Sequence, residues 1–294
     1  MPTGSCLCGA LRYEISPPYQ WMAHCHCSMC RKHTGALYDA SIGLPAEGFR
    51  WLTPPATLVR RKASTEANFA RGFCSRCGSV APTVDDDGGM FYVPAGQLED
   101  DPGLRPQMHI FVGSKSPSCT ITDALPQHEH YPPGVNLPVA QRESPASAAG
   151  VVQGSCLCGR VAFELSKSPR RMVNCHCSRC RRSRGSAYAT NVFVNLEDLH
   201  WTRGAEQARV YRVPDARAFA TSFCVDCGGL LPCAFEKIGK YLVPVGALDT
   251  PLALTPGAHI HVASKAPWFE FSDDLPRYEA SPPRERLLEV MFGD

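Results

Sequence analysis

The chain has 294 residues, of which 44% are hydrophobic and 20% charged, and its formal net charge is +2. This length predicts two domains, and the nearly balanced charge argues against a protein that binds nucleic acid or a membrane through a basic face. No apolar run approaches the roughly 20 residues of a transmembrane helix. The N-terminal MPTGSCLCGALRYEI does not resemble a signal peptide, so we expect a cytoplasmic location first and a nuclear one second.

The sixteen cysteines are the main feature of the composition. Disulfide-rich scaffolds are short secreted chains, whereas this chain is long and has no recognisable export signal. Clustered cysteines in a reducing compartment are typically metal ligands. The composition therefore favours metal centres over a disulfide framework.

The sequence contains two copies of one unit, offset by 150 residues without an insertion or deletion. The repeated motifs, each with its first residue in the two copies, are GSCLCG (Gly4, Gly154), CHCSMCR and CHCSRCR (Cys25, Cys175), FCSRCG and FCVDCG (Phe73, Phe223), VPAGQL and VPVGAL (Val93, Val243), and HIFVGSKSP and HIHVASKAP (His109, His259). We assign residues 1–133 to a first zinc domain and residues 154–283 to a second.

Two segments have no counterpart in the repeat. Residues 134–153 are rich in proline, alanine and serine, which predicts a surface linker. Residues 284–294, RERLLEVMFGD, form a C-terminal tail that we interpret as a short helix packed on the body.

Within each copy the pattern favours short strands. Ala10–Ile15 and Arg160–Leu165 alternate between apolar and polar residues, and Phe91–Val93 and His109–Val112 are rich in β-branched and aromatic residues. Proline and glycine recur throughout, and no segment has a long helical period. We predict mainly β domains made of small sheets and organised around metal.

Each copy has seven repeated cysteines in three clusters. They are Cys6 and Cys8, then Cys25, Cys27 and Cys30, then Cys74 and Cys77 in the first copy, and Cys156 and Cys158, then Cys175, Cys177 and Cys180, then Cys224 and Cys227 in the second. Seven thiolates divide into four and three, because a closed structural zinc site takes four protein ligands whereas a catalytic one takes three.

A glycine follows the cysteine pairs of the first and last clusters and permits a tight turn. We therefore combine these two clusters into one closed zinc site in each copy. Cys119 and Cys233 are not repeated, and we expect both to be small buried hydrophobic residues.

The three cysteines of each middle cluster cannot complete a tetrahedron alone. The fourth ligand could be His26 or His176, a distant side chain, water or a bound ligand, and a second closed site is the alternative to an open one. His109 and His259 are repeated and could approach the cluster. The alternative for both is a strand histidine that bonds to the backbone.

Basic residues follow each middle cluster, namely Arg31, Lys32, Arg181 and Arg182. They could offset the charge of the thiolates or bind a ligand carboxylate, and ordinary surface charge is the alternative. The same two interpretations apply to Lys115 and Lys265.

The ordered set of motifs resembles the glutathione-dependent formaldehyde-activating enzyme family, which includes the centromere protein V domain. The resemblance implies a β-tent fold of small antiparallel sheets. It also implies a structural zinc at each four-cysteine set, a catalytic-type zinc at each three-cysteine set, and so up to four Zn²⁺ per chain. Glutathione would be the substrate or ligand, in a carbon–sulfur lyase reaction that forms or breaks S-(hydroxymethyl)glutathione.

The first copy departs from the family at two positions. Ser118 stands where the second copy has Trp268, and His128 where it has Tyr278. We take Trp268 as a glutathione contact and expect activity first in the second copy, although the tryptophan could instead be a core residue. The alternatives to an enzyme are a non-catalytic thiol carrier and a zinc-stabilised interaction module.

Overall fold

The computed structural model describes residues 1–62, 70–139, 142 and 150–293. The centre of the predicted linker, residues 140–141 and 143–149, lies outside this description. The described residues form a mainly β protein, as predicted. None of their helices is long and apolar enough to cross a membrane.

The strands are short, and their order is the same in the two repeats. The first repeat contains β1 (Thr3–Ser5), β2 (Arg12–Ile15), β3 (Trp21–Cys25), β4 (Asp39–Pro45), β5 (Phe49–Trp51), β6 (Leu58–Lys62), β7 (Ala70–Cys74), β8 (Val80–Ala81), β9 (Thr83–Val84), β10 (Met90–Pro94), β11 (Met108–Ile110) and β12 (Gln127–His128). The second contains β13 (Val152–Ser155), β14 (Ala162–Leu165), β15 (Met172–Cys175), β16 (Ala189–Asn195), β17 (Leu199–Arg203), β18 (Ala208–Arg212), β19 (Ala220–Cys224), β20 (Leu230–Leu231), β21 (Cys233–Phe235), β22 (Lys240–Pro244), β23 (Ala258–Ile260) and β24 (Arg277–Tyr278).

Each repeat consists of one central six-stranded sheet and two three-stranded sheets. The central sheets have the orders β12-β11-β3-β4-β10-β9 and β24-β23-β15-β16-β22-β21. The small sheets are β1-β2-β5 and β6-β7-β8 in the first repeat, and β13-β14-β17 and β18-β19-β20 in the second. The central sheets are mixed and not purely antiparallel, because β11 runs parallel to both β3 and β12.

The helices are α1 (Ser28–Thr34), α2 (Ser178–Arg184) and α3 (Arg284–Met291). The sequence pattern did not predict α1 and α2, which begin at the middle cysteine clusters. Cys27 caps α1, since its Sγ accepts the N–H of Cys30 at 3.2 Å. Gly35 ends the helix with a φ of 66°, a left-handed conformation that favours glycine. The predicted C-terminal helix is α3.

The two repeats dock about a pseudo-two-fold axis, which is visible where equivalent residues meet. Tyr38 and Tyr188 pack edge to face with ring centroids 5.6 Å apart. The hydroxyls of Thr122 and Ser272 lie 2.6 Å apart. One hydrophobic core includes buried residues of both repeats. The repeats therefore bury a shared surface in the manner of a symmetric dimer within one chain.

Backbone contacts across this boundary require glycine. The N–H of Gly96 donates to the carbonyl of Gly185 at 3.1 Å, and the N–H of Gly246 donates to that of Gly35 at 3.1 Å. A Cβ at Gly96 or Gly246 would lie 2.0 or 2.2 Å from a carbonyl oxygen of the other repeat. Any larger residue would separate the repeats locally.

Two equivalent ion pairs cross the boundary in different environments. Lys32 and Asp249 lie 2.8 Å apart with side chains 4% and 1% exposed, whereas Arg182 and Glu99 lie 2.9 Å apart with side chains 35% and 40% exposed. Burial lowers the pKa of Lys32 to about 7, while the Asp249 carboxylate acts in the opposite direction. Lys32 therefore needs its partner, and the carbonyl oxygens of Ser155 and Ala247 that it also contacts, to remain charged.

We predict that Lys32→Ala lowers the free energy of unfolding by about 3 kcal/mol, because it leaves the buried Asp249 with the partly exposed Arg142 and the Ser155 hydroxyl. The equivalent exposed change, Arg182→Ala, should cost less than about 1 kcal/mol. Urea denaturation of both variants checks the prediction. Equal losses would mean that burial of the pair does not determine its contribution.

Candidate metal centres and the adjoining cavity

The cysteines of the first and last clusters converge into one group in each repeat. The two groups are Cys6, Cys8, Cys74 and Cys77, and Cys156, Cys158, Cys224 and Cys227, with all Sγ atoms of a group within 4.8 Å of one another. Neighbouring Sγ atoms are 3.5–3.9 Å apart. Disulfides require about 2.05 Å, and all sixteen cysteines are free.

These distances fit a tetrahedral metal. With Zn–S bonds of about 2.3 Å, the edges of a tetrahedral site are about 3.8 Å long. The tight turn after Cys77 also fits a metal site. Gly78 has a φ of 69°, and its N–H donates to the Cys74 carbonyl at 2.8 Å. The four-cysteine groups can therefore each hold one closed zinc.

The middle clusters form separate groups of three, Cys25, Cys27 and Cys30, and Cys175, Cys177 and Cys180. In the first repeat, Cys25 ends β3 and the other two lie at the start of α1, with Cys25 and Cys30 Sγ atoms 3.4 Å apart. Hydrogen bonds from the Cys25 and Cys30 thiols hold the pKa of Cys27 well below its ordinary value. Among the described residues, no histidine, aspartate or glutamate joins either group. A metal bound there would keep a position for an exogenous ligand.

His26 and His176, considered above as fourth ligands, instead begin buried chains of hydrogen bonds. The chains are His26–His109–Asp123, with lengths of 2.9 and 3.0 Å, and His176–His259–Asp273, with lengths of 2.7 and 3.0 Å. The backbone-bonding alternative for the side chains of His109 and His259 is also wrong, because both ring nitrogens of each bond to side chains.

With both rings neutral, the chain of three has one consistent proton arrangement. Asp123 accepts from Nε2–H of His109, so Nδ1 of His109 must accept from Nε2–H of His26. Burial lowers the pKa of His26 to about 3, which keeps its ring neutral. The chain therefore fixes the residue between Cys25 and Cys27 and with it the direction of both thiols.

The first three-cysteine group has an ion pair that the second lacks. Arg71 Nη2 donates to Cys30 Sγ at 2.7 Å and lies 3.2 Å from the Asp39 carboxylate. Burial opposes the charge of Arg71, but Cys30 and Asp39 outweigh it and raise the Arg71 pKa. The equivalent residues in the second repeat are Thr221 and Ala189. Because neither residue is repeated, comparison of the copies could not single them out.

A cavity of about 350 Å³ opens over this group, and all three cysteines line it. Its walls are mostly large apolar side chains, including Trp21, Met29, Met90, Phe111 and Tyr131. Phe111 has a φ of 59°, which costs about 1–3 kcal/mol for a non-glycine residue. The equivalent His261 has a φ of 57°, so this conformation belongs to the turn that both repeats share, and in the first repeat the Phe111 ring packs with the three cysteines. The cavity has the size and composition of a small-molecule site.

In the second repeat, α3 lies against the equivalent walls. Val290 and Met291 pack with the cluster that contains Cys175, Val173 and Ile260. The next residue, Phe292, packs on Phe193 at 5.2 Å and under the Lys240 ammonium at 5.0 Å. Three of these contacted positions, 173, 240 and 260, correspond to cavity-lining residues 23, 90 and 110. The C-terminal segment thus packs on part of the surface that corresponds to the cavity walls.

The residues proposed as glutathione contacts lie mostly at the boundary between the repeats. Arg31 donates to the carbonyls of His26 and Ser114, and Arg181 to those of Ser264 and Gly96. Lys32 and Arg182 form the two ion pairs described above. None of the four is among the described residues that line the large cavity.

Trp268 is a core residue. It is 1% exposed, and its Nε1–H donates to the Ala95 carbonyl of the other repeat at 2.9 Å. Its counterpart Ser118 makes a longer contact of the same kind, from its hydroxyl to the Leu252 carbonyl at 3.3 Å. The serine therefore removes no wall of the cavity, and the reason for expecting activity first in the second copy does not hold.

Comparison with known proteins agrees with this arrangement. The family model of the glutathione-dependent formaldehyde-activating enzyme matches residues 1–114 and again residues 151–264. The chain belongs to this family.

Two proteins that are similar to this chain each match about the length of one repeat. A Halomonas elongata protein named "Putative glutathione-dependent formaldehyde-activating enzyme" is 29% identical over 151 residues, covering 47% of this chain and 93% of that protein. A crystal structure of a Rhodobacter sphaeroides protein is 29% identical, covers 35% of this chain and 98% of that chain, and aligns with a TM-score of 0.29. The two matches of the family model show two family units in this chain.

We predict that Cys77→Ser removes one bound metal ion per chain and lowers Tm by about 10 °C or more, because a structural site couples metal binding to folding. Cys233→Ala is the control, since Cys233 is buried but belongs to no cysteine group. Elemental analysis and thermal melting followed by circular dichroism check both. Unchanged metal content in Cys77→Ser would contradict the closed site.

Proposed function

We propose that the first repeat catalyses the reversible addition of a thiol to a small aldehyde, a carbon–sulfur lyase reaction of the S-(hydroxymethyl)glutathione synthase type. One observation carries the proposal: in a member of this family, three cysteines without a fourth protein ligand among the described residues line a cavity. The forward reaction forms a bond between the thiol sulfur and the carbonyl carbon. The thiol proton ends on the oxygen, which becomes a hydroxyl, and the reverse reaction breaks the carbon–sulfur bond.

We further propose that all four cysteine groups bind Zn²⁺. The four-cysteine groups would be structural, while Cys25, Cys27 and Cys30 would hold the metal of the reactive centre. Zinc bound to three thiolates supplies an open position that can lower the pKa of a thiol or polarise a carbonyl.

The protein's own side chains would prepare this centre in three ways. Arg71 offsets the negative charge of the three thiolates through its contact with Cys30, and Asp39 holds the guanidinium in place. The His26–His109–Asp123 chain fixes the loop that carries Cys25 and Cys27. The apolar walls exclude water, which strengthens these electrostatic interactions.

We propose a supporting role for the second repeat. Its three-cysteine group has no counterparts of Arg71 and Asp39, although the buried Arg184 lines a small cavity with Cys180, and α3 covers part of the walls that would bind the organic part of a ligand. The docking of the two repeats nevertheless depends on it, through the shared core and the glycine contacts. A non-catalytic thiol carrier would use the same first-repeat centre and differs only in lacking turnover.

We predict that the zinc-loaded protein accelerates exchange between formaldehyde and its glutathione and 2-mercaptoethanol adducts, measured by two-dimensional ¹³C exchange NMR. Cys27→Ser should return the rate to the spontaneous value, because it removes a ligand of the reactive centre, whereas the equivalent Cys177→Ser should retain most of it. Loss of activity only in Cys177→Ser would place the reaction in the second repeat. Thiol binding without faster exchange would indicate a carrier.

A further inference from the structure

The walls of the first-repeat cavity differ in chemistry from the same positions in the second repeat. Residues Trp21, Met29, Met90, Phe111 and Tyr131 correspond to Arg171, Arg179, Lys240, His261 and Ser281. Every one of the five is apolar or aromatic in the first repeat and basic or polar in the second. The backbones match, as the shared strand order shows, so the difference lies in what each repeat can bind.

From this difference we infer that the first-repeat centre selects a thiol or thiol–aldehyde adduct whose organic part is apolar and uncharged, such as an aromatic or branched alkyl group, in preference to glutathione. The inference rests on the proposed function, since it assumes that the thiol reaches Cys25, Cys27 and Cys30.

Burial of apolar surface provides the affinity. Apolar ligand surface removed from water favours binding in proportion to its area, and methionines such as Met29 and Met90 adapt to ligands of different shape. The volume of about 350 Å³ is at the lower end of small-molecule sites. The cavity therefore suits a compact apolar group next to the sulfur.

Charge provides the discrimination. Apart from the cysteines, Arg71 and Asp39 are the only charged side chains among the described residues that line the cavity. They bind each other, and Arg71 also binds Cys30. Glutathione would bring carboxylates and an ammonium group among apolar walls without matching partners, and burying an unpaired charge is costly.

We expect each chain to bind one organic ligand, in the first repeat. In the second repeat, Val290, Met291 and Phe292 of the C-terminal segment lie where the ligand's organic part would bind. Removing this segment from the surface would expose these three apolar side chains. In the second repeat, the C-terminal segment thus supplies the apolar contacts that a ligand would supply in the first repeat.

The test uses the full chain with Co²⁺ in place of zinc, and benzyl mercaptan and glutathione as probes. Thiol binding is read from the sulfur-to-cobalt charge-transfer absorption, which does not depend on turnover. We expect benzyl mercaptan to bind at least about tenfold more tightly than glutathione, with saturation at one thiol per chain.

Substitutions assign the selectivity to the wall. Met90→Lys, which introduces the second repeat's residue, should weaken benzyl mercaptan binding about tenfold without loss of metal, whereas Met90→Leu should bind normally. Arg179→Met, which makes a second-repeat position like the first, is the matched control and should change nothing. If Met90→Lys misfolds, the wild-type comparison of the two thiols still decides.

Three results would overturn the inference. Equal or tighter binding of glutathione would refute apolar selectivity and leave the proposed function standing. Saturation at two thiols per chain would show that α3 does not take the place of a ligand. If neither thiol changes the absorption, the open centre itself is absent, and the proposed function fails together with the inference.

Discussion

The mutual repulsion of clustered thiolates is the constraint on which each repeat depends. Four sulfurs lie within 4.8 Å in the closed groups, and as anions they would be strongly unfavourable together without a cation. Their chain segments are far apart, since Cys8 and Cys74 are separated by 66 positions. A metal bound there would close a long loop and join the small sheet that begins with β1 to the small sheet that contains β7. The clusters would then act as cross-links of a domain whose sheets are too small to be stable alone.

Duplication within one chain adds a second constraint, because the two repeats cover each other. Some contacts cannot change without separating the repeats, and these are the same in both halves. Gly96 and Gly246, for example, each lie against backbone carbonyls of the opposite repeat. Contacts that tolerate change have diverged. The buried Lys32–Asp249 pair is exposed in its other copy, and the tryptophan that reaches across from one side is a serine on the other.

The sequence predicted the features that spacing and repetition encode: two units, small sheets, and the division of seven cysteines into four and three. It did not predict α1, although Gly35 after the cysteine cluster was a helix-end signal. The partner of His26 was also missed, because a pattern along the chain cannot show that His109 and Asp123 meet it in space. Arg71 and Asp39 were not predicted as site residues. Comparison of the two copies identifies only the residues that both copies share, and these two are present in one copy only.

The residues that differ between the two repeats are more informative about the reactive centre than the residues that they share. Both repeats retain three cysteines and the histidine chain behind them, so these features alone cannot say which repeat works on a ligand. The walls differ more, because binding an organic group requires apolar surface beside the sulfurs that is not already packed. A largely buried arginine lies near the thiolates in both repeats, Arg71 at Cys30 and Arg184 beside Cys180. Val290 and Met291 of the C-terminal helix pack on part of this surface in the second repeat, whereas a cavity opens there in the first, and this difference is why we propose the first repeat as the ligand site.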